Sequence, residues 1–209
     1  MINKDFEQVL VGSLFGDGCL TIKKDQKNPV YTENHSLKQE DYLKWKNKFF
    51  CCKLTKYQYF DRRTNKIYFH CQIRTRTNPI YTYYHKLFYP KGKKTINEFI
   101  LSKLNLLGIA VWFCDDGCYN YRNENIYLAT KGFSIGENRI ICNYFKKKYN
   151  LDFKIDSVNN IYLDVEGTKK FKSLIKDFVP RFMHYKLGYD NLRRKESNKN
   201  MQKYRLKYY

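Results

Sequence analysis

The sequence predicts an α/β fold of the α+β kind, built from two similar units that each have the element order αββαββα. Three observations lead to this prediction: two apolar segments that both end in Asp-Gly, the same order of elements behind each segment, and a lysine late in each unit. The 209 residues are 43% hydrophobic and 18% aromatic, enough for one large domain or two small ones with a sizeable core. We expect a pseudo-twofold pair of antiparallel sheets with one helix of each unit at the interface.

The first Asp-Gly segment is LVGSLFGDG at residues 10–18, and the second is IAVWFCDDG at residues 109–117. Each is continuously apolar, and small residues recur four positions apart on one helical face, where they let two backbones approach closely. These small residues are Gly12, Gly16, Ala110 and Cys114. The segments are therefore predicted to form two helices, called the motif helices below, that pack side by side with their acidic ends together.

Behind the first motif helix, the pattern predicts strands at residues 19–22 and 30–37 and then a helix at 40–50. A strand at 67–75 and a helix at 78–90 complete the unit. In each sheet, alternation predicts one face against the helices and another, polar and basic, turned toward solvent or a ligand.

The second unit repeats this order, with a strand at 125–134, a helix at 137–151, a strand at 161–167 and a helix at 168–180. Both units close on an aromatic residue and a proline. Residues 91–106 connect the units and are predicted to form a loop and the start of the second motif helix.

We place an N-terminal half at residues 1–92, a C-terminal half at 93–190 and a basic tail at 191–209. No segment rich in Gly, Ser or Pro separates the halves. The tail is rich in Lys and Arg and poor in apolar residues, so it is predicted to be either a phosphate-contacting helix or disordered.

The composition points to a polyanionic partner. The chain has 40 Lys and Arg against 20 Asp and Glu, a net charge of +20 that is spread over most of its length. A membrane surface is the weaker alternative, because we find neither an amphipathic basic helix nor an apolar span of about 18 residues. We therefore expect a nucleic acid as the partner and no membrane.

The cysteines and histidines suggest no structural metal site. The seven cysteines form no CxxC pair, so neither a disulfide framework nor a zinc knuckle is indicated. Cys114 and Cys118 have the one spacing to consider, but the first motif helix has no counterpart. The four histidines, among them His35, show no paired metal spacing and are interpreted as contact or core residues.

The two motif acids carry the chemistry. Asp17 and Asp116 would meet at one end of the helix pair, and two close carboxylates are a common way to hold divalent metals for phosphodiester hydrolysis. Matching the registers of the two motifs makes Asp116, rather than the adjacent Asp115, the counterpart of Asp17. Lys94 and Lys186 follow the two acids at similar distances, so each half supplies one acid and one lysine.

These motifs resemble those of the LAGLIDADG homing endonucleases, in the two-motif, single-chain form encoded by introns. The resemblance rests on FGDG and WFCDDG together with KKTI and YKL, and the elements between them extend it over nearly the whole chain. It implies a monomer that cuts a long, asymmetric double-stranded DNA site across the minor groove and leaves 3′ overhangs. It also implies two or three Mg²⁺ ions, for which Mn²⁺ substitutes, whereas Ca²⁺ binds without cleavage.

Site residues follow from the same resemblance. Asp17 and Asp116 stand at the metal-binding motif position, and the carbonyl groups of Gly16 and Asp115 just before them are expected to assist. Lys94 stands where the family places a basic residue near the attacking water or the scissile phosphate.

The remaining expected residues are a second lysine and a polar pair. Lys186 is the counterpart of Lys94 in the other half. Ser36 and Lys131 fall near a polar position that orders water or metal, although they depart from the Gln or Glu common there.

Two other functions stay open on the same scaffold: a maturase that binds its own intron RNA, and a DNA-binding regulator. Retention of both acids argues against complete loss of cleavage, and no helix-turn-helix extension typical of the regulator is recognised. The first apolar run already contains the motif, and no targeting signal precedes it. We expect the protein to act where it is translated, in an organelle (mitochondrion or chloroplast) or in bacterial or phage cytoplasm.

Overall fold

The structure is a computed structural model that describes residues 3–24 and 26–189. The basic tail predicted at residues 191–209 lies outside the described residues. None of the helices in these ranges has the length and apolar character needed to cross a membrane.

The first unit has the predicted order of helices and strands. Its elements are α1 (Lys4–Phe15), β1 (Cys19–Thr21), β2 (Val30–Ser36), α2 (Glu40–Phe50), β3 (Leu54–Asp61), β4 (Lys66–Arg74) and α3 (Pro79–Phe88), with a 3-10 turn at Leu37–Gln39. The strands form an antiparallel sheet in the order β1-β2-β4-β3.

The second unit repeats that sheet topology. Its elements are α4 (Glu98–Ser102), α5 (Leu106–Asp116), β5 (Gly117–Asn120), β6 (Asn125–Leu128), α6 (Ile135–Tyr149), β7 (Lys154–Ile155), β8 (Ile161–Tyr162) and α7 (Val165–Ile175), followed by a 3-10 helix at Arg181–Leu187. Its antiparallel order is β5-β6-β8-β7. The predicted fold class, two related units that each carry an antiparallel sheet, is confirmed.

The connection between the units differs from the prediction. Residues 91–106 do not simply lead into the second motif helix, because the short helix α4 forms first and ends before α5 begins. The reason is local: Asn97 and Asn105 each accept a hydrogen bond from the backbone N–H three residues ahead, which starts a new helix at each position.

The motif helices α1 and α5 pack side by side at the centre of the core, and almost every residue of their facing turns is buried. Phe15 and Trp112 place their rings 4.7 Å apart across this pair. At the other end, the Gln8 side chain donates to the Lys103 carbonyl at 2.9 Å and accepts from the Asn105 N–H at 2.8 Å. The helix pair is thus fixed at both ends.

The small residues of the two helices do not face each other as predicted. A Cβ built on Gly12 would lie 2.3 Å from the Gly108 carbonyl oxygen and 2.9 Å from the Val111 Cβ, rather than against Ala110. Gly16 likewise lies against the Asp115 side chain and not against Cys114. Gly108, Val111 and Asp115 follow one another at helical spacing on a single face, whereas Ala110 and Cys114 lie on another.

The predicted alternation is confirmed for β2 and the second half of β4 but not for β3, where every residue from Thr55 to Phe60 is exposed. Along β2, Tyr31, Glu33 and His35 are buried toward the helices, while the residues between them lie on the outer face. On that outer face Gln72 donates to the Asn34 side chain at 2.7 Å. The strands of the first sheet are 3, 7, 8 and 9 residues long, and those of the second only 4, 4, 2 and 2.

Candidate active site

The two motif acids lie at adjoining ends of the motif helices. Asp17 follows α1, and its side chain is 41% exposed. Asp116 is the last residue of α5 and is partly buried. The backbone N–H of Asp17 donates to the Asp115 carboxylate at 3.3 Å, so the two chain segments touch beside the acids.

One lysine reaches the backbone beside each motif acid. The Lys94 ammonium donates to the carbonyl oxygens of Gly16 at 3.0 Å and Gly18 at 3.1 Å. The Lys186 ammonium donates to the Asp115 carbonyl at 2.7 Å. Burial lowers the pKa of both lysines. Two acids and two lysines that are far apart in sequence therefore share one cleft.

The electrostatics of the cleft favour a bound cation. Burial raises the pKa of Asp116 to about 7. The carboxylates of Asp115 and Asp17 act in the same direction, and the ammonium groups of Lys186 and Lys94 oppose them only in part. A divalent cation would remove the repulsion among these acids.

His35 is a site residue that the sequence analysis treated as a contact or core residue. Its side chain is 1% exposed, and its Nδ1 lies 3.7 Å from Asp17 Oδ2 and 3.1 Å from Gln39 Oε1. Its Nε2 lies 2.6 Å from the buried Glu33 carboxylate. Strand alternation was the available signal, because it turns His35 inward at the position just before Ser36.

The polar pair expected from the resemblance has other contacts. The Ser36 hydroxyl accepts a hydrogen bond from the Lys38 N–H at 3.4 Å, on the exposed side of β2. Lys131 is exposed, and its backbone N–H donates to the Asn160 side chain at 3.3 Å. Assistance of catalysis by Ser36 and Lys131 stays a prediction.

Behind Asp17 lies a buried ionic cluster that the sequence did not predict, here called the Lys46 cluster: Glu33, Lys46 and Asp115. The Lys46 ammonium contacts the two Asp115 carboxylate oxygens at 2.7 and 2.8 Å and also binds Glu33. Two tyrosines complete it, since Tyr42 donates to Asp115 at 2.7 Å and Tyr31 donates to Glu33 at 2.5 Å. Burial opposes a charged Lys46, but the two carboxylates outweigh it and raise its pKa.

These contacts decide which acids are open to a metal. Asp17, His35 and Asp115 place possible ligand atoms within 4.8 Å of one another. However, the Asp115 carboxylate already accepts from Lys46, Tyr42 and the Asp17 backbone, so its side chain is occupied within the protein. Asp17 belongs to this group of possible ligands and Asp116 does not, although the carboxylate oxygens of both motif acids are of the kind that suits a hard divalent cation such as Mg²⁺.

Two related sheets, one motif helix from each half and a shared cleft of acids and lysines define a two-motif nuclease-like architecture. The profile of the LAGLIDADG DNA endonuclease family matches residues 7–171, and the chain belongs to this family. The resemblance inferred from the motifs is confirmed.

Individual relatives match this chain at low sequence identity. The structure of the homing endonuclease I-WcaI bound to its DNA recognition sequence has a TM-score of 0.82 with this fold at 22% identity, covering 90% of this chain and 87% of that one. The cytochrome b mRNA maturase bI2 of Debaryomyces hansenii is 24% identical over 198 residues, covering 90% of this chain and 75% of the maturase.

A further relative is much longer than this chain. Protein RecA of Mycolicibacterium chitae is 24% identical over 197 residues, which cover 86% of this chain and 45% of the relative. The chain thus spans about half the length of the RecA proteins that it matches.

Proposed function

We propose that this chain is a metal-dependent, site-specific endonuclease that hydrolyses both strands of a long, asymmetric DNA target across the minor groove and leaves 3′ overhangs. One observation carries the proposal: Asp17 and Asp116 lie at adjoining helix ends, and each has one lysine hydrogen-bonded to the backbone beside it, Lys94 for Asp17 and Lys186 for Asp116. This arrangement supplies one acid and one ammonium group for each strand. We further propose that the protein acts as a monomer, since both halves are in one chain.

The outer face of the first sheet supports DNA as the substrate. Asn34, Gln72 and Arg74 lie on this face, and Tyr57 donates to the Asn34 side chain at 3.1 Å. Amide side chains suit adenine edges and guanidinium groups suit guanine edges in the major groove. The net charge of +20 supplies phosphate contacts in addition.

The residues at the cleft fit a divalent metal, Mg²⁺ first. Asp17 and Asp116 would hold it, and the carbonyl groups of Gly16 and Asp115 beside them also accept hydrogen bonds from Lys94 and Lys186. Such a metal supplies activation of the attacking water and neutralises phosphate charge.

The chain's own cations add to this chemistry. Lys94 and Lys186 hold their ammonium groups beside the acids in surroundings from which water is largely excluded, where a positive charge stabilises developing negative charge most strongly. Their hydrogen bonds to backbone carbonyls keep both groups in place before the substrate arrives. Ser36 and Lys131 are proposed as secondary polar groups at the edge of the site.

A maturase function is the second candidate, favoured by the similarity to the Debaryomyces hansenii maturase. The same basic surface would then bind intron RNA. The two functions differ in their need for the acids, because RNA binding through phosphate contacts does not require Asp17 or Asp116.

The test is cleavage of a plasmid that carries the host sequence lacking the intron, or of targets selected from a random double-stranded DNA library, with Mg²⁺. We expect Asp17→Asn and Asp116→Asn to abolish double-strand cleavage while DNA affinity stays within about tenfold, because the phosphate contacts persist. Asp152→Asn is the control, since its exposed carboxylate lies 3.6 Å from the exposed Lys146 ammonium on the surface. Full cleavage by either motif variant would refute the proposal, and intron RNA binding by a parent that cuts no DNA would favour the maturase.

A further inference from the structure

The Lys46 cluster joins the two halves directly behind one of the two motif acids. Glu33 comes from β2 and Lys46 from α2, both in the first half, whereas Asp115 comes from α5 in the second. All three side chains are fully buried, at 0% exposure for Lys46 and both of its partners. A lysine of one half therefore holds a carboxylate of the other.

Stability alone does not account for this cluster. Burying charged groups removes them from water, and replacing such a cluster with neutral side chains of similar size is often neutral or stabilising. Buried ionic groups instead fix the relative orientation of the elements that carry them, because each partner has to meet the others in one arrangement. The relevant question is which atoms the cluster aligns.

The contacts of the Lys46 cluster lead to Asp17. Lys46 grips both oxygens of the Asp115 carboxylate, and one of these oxygens accepts the Asp17 backbone N–H at 3.3 Å. Gly16 makes this approach possible, because a Cβ there would lie 2.4 Å from the Asp115 Cβ. The contacts thus run from Lys46 through Asp115 to the backbone of the catalytic segment.

The Asp115 carboxylate of the cluster contacts the Asp17 backbone, whereas the Asp115 backbone carbonyl accepts from Lys186 at the other centre. In the register of the two motifs, the residue equivalent to Asp115 is Gly16, which has no side chain to offer. Asp17 consequently has a carboxylate of the other half behind it, and Asp116 has a glycine in the corresponding place. Each centre has one acid and one lysine, but the two centres differ in the carboxylate that lies behind the Asp17 backbone.

We propose that Lys46 is a positioning residue that holds Asp115 against the Asp17 backbone and thereby orients Asp17 for cleavage of one DNA strand. This inference rests on the proposed function. Under this proposal, the side chains of Lys46 and Asp115 do not touch the substrate. The proposal also predicts that loss of Lys46 converts a double-strand cutter into an enzyme that mainly nicks.

The test uses the full chain and an end-labelled DNA target, with the rate of each strand followed in single turnover. Lys46→Met alone leaves Asp115 unpaired and can fail to fold, so Lys46→Met combined with Asp115→Asn is the main variant. In this pair one positive and one negative charge disappear together, while Glu33 keeps His35 and Tyr31 as partners. Asp17→Asn identifies the strand that depends on Asp17.

We expect the double variant to melt at or above the parental temperature and to bind the target within about threefold of the parent. Cleavage of the Asp17-dependent strand should fall at least tenfold, since a displacement of about 1 Å costs on the order of a hundredfold in rate. The other strand should stay within about threefold, because Asp115→Asn changes the side chain and keeps the backbone carbonyl that accepts from Lys186, so nicked DNA accumulates. Lys44→Met is the matched control on the same helix, because its exposed ammonium pairs with Glu40 at 2.8 Å, and it should leave both strand rates unchanged.

Strand-specific loss without loss of stability would support the role, since a merely structural residue would affect both strands and the melting temperature together. Parental rates on both strands, or equal losses on both, would overturn the assignment of Lys46. A parent that cuts no DNA would instead refute the proposed function itself.

Discussion

A single methyl group at Gly12 should test the geometry of the motif helices. In Gly12→Ala the new Cβ would lie 2.3 Å from the Gly108 carbonyl oxygen, whereas ordinary contact begins at 3.4 Å. Because the obstacle is backbone and not a flexible side chain, α1 and α5 have to separate by about 1 Å. Overpacking of this kind costs about 1–3 kcal/mol, partly offset by the gain of about 1 kcal/mol in helix propensity.

Activity should suffer more than stability. Asp17 and Asp116 lie at the ends of these helices, and a displacement of about 1 Å costs on the order of a hundredfold in rate. The larger change Gly12→Leu should have a greater effect on both quantities. The assay is the single-turnover cleavage rate together with the melting temperature of each variant.

Gly136→Ala is the matched control for Gly12→Ala, because Gly136 is also helical and exposed, and the nearest described atom to a new Cβ, apart from its own helix backbone and chain neighbours, is Ser134 Oγ at 4.0 Å. It should keep the parental rate and gain slightly in stability. A Gly12→Ala variant that cleaves as fast as the parent would show that the spacing of the motif helices does not set the geometry of the acids, and the reasoning from their packing would be wrong.

Three further outcomes are expected. The logarithm of DNA affinity should fall with the logarithm of salt concentration with a slope of about −9, for on the order of ten phosphate contacts; a slope near −2 in titrations would confine binding to a small patch. The pKa of Asp116 is raised to about 7. The stability that its protonated carboxyl contributes is therefore lost as the pH rises from the ordinary pKa of an aspartate through 7. Asp116→Asn should therefore raise the melting temperature of the metal-free protein at about pH 8 and leave it unchanged at about pH 4, and an equal effect at both would contradict the burial argument. Glu137 accepts from Thr95 at 2.7 Å and the Ile96 N–H at 2.8 Å, so Glu137→Ala should cost about 1–3 kcal/mol in denaturant titrations at neutral pH. The pKa of Glu137 is lowered to about 2. This contribution to stability should therefore disappear as the pH falls from the ordinary pKa of a glutamate toward 2.

The repeat made most of the fold predictable. Apolar continuity identified the motif helices, and alternation identified strands such as β2, because both patterns depend on local sequence alone. The prediction that Gly12 faces Ala110 was wrong. Ala110 and Gly108 lie on different faces of α5, and sequence spacing does not say which face meets α1. The separate helix α4 was missed because two asparagine caps interrupt what reads as one connection.

The clustering of the motif residues was predictable, while their catalytic roles stay a prediction. Asp17, Asp116 and the two lysines recur at matched positions, and the structure brings them to one cleft. Lys46 could not be found in the same way, because a lysine in a surface-like helical pattern gives no sign that it will be buried against an acid 69 residues away. Its role depends on the packing of α2 against the second motif helix, which is a property of the assembled halves.

The contact between Gly16 and Asp115 has a consequence for symmetry. In a homodimer of one such half, equivalent positions near the twofold axis carry the same residue, so glycine would face glycine or aspartate would face aspartate. The first choice would leave Lys46 with Glu33 alone and no carboxylate from the other half, and the second would force two side chains into a gap where even a Cβ lies 2.4 Å from its neighbour. Joining both halves in one chain lets a large residue face a small one. The contact between Gly16 and Asp115 therefore requires a protein whose two halves have diverged in sequence.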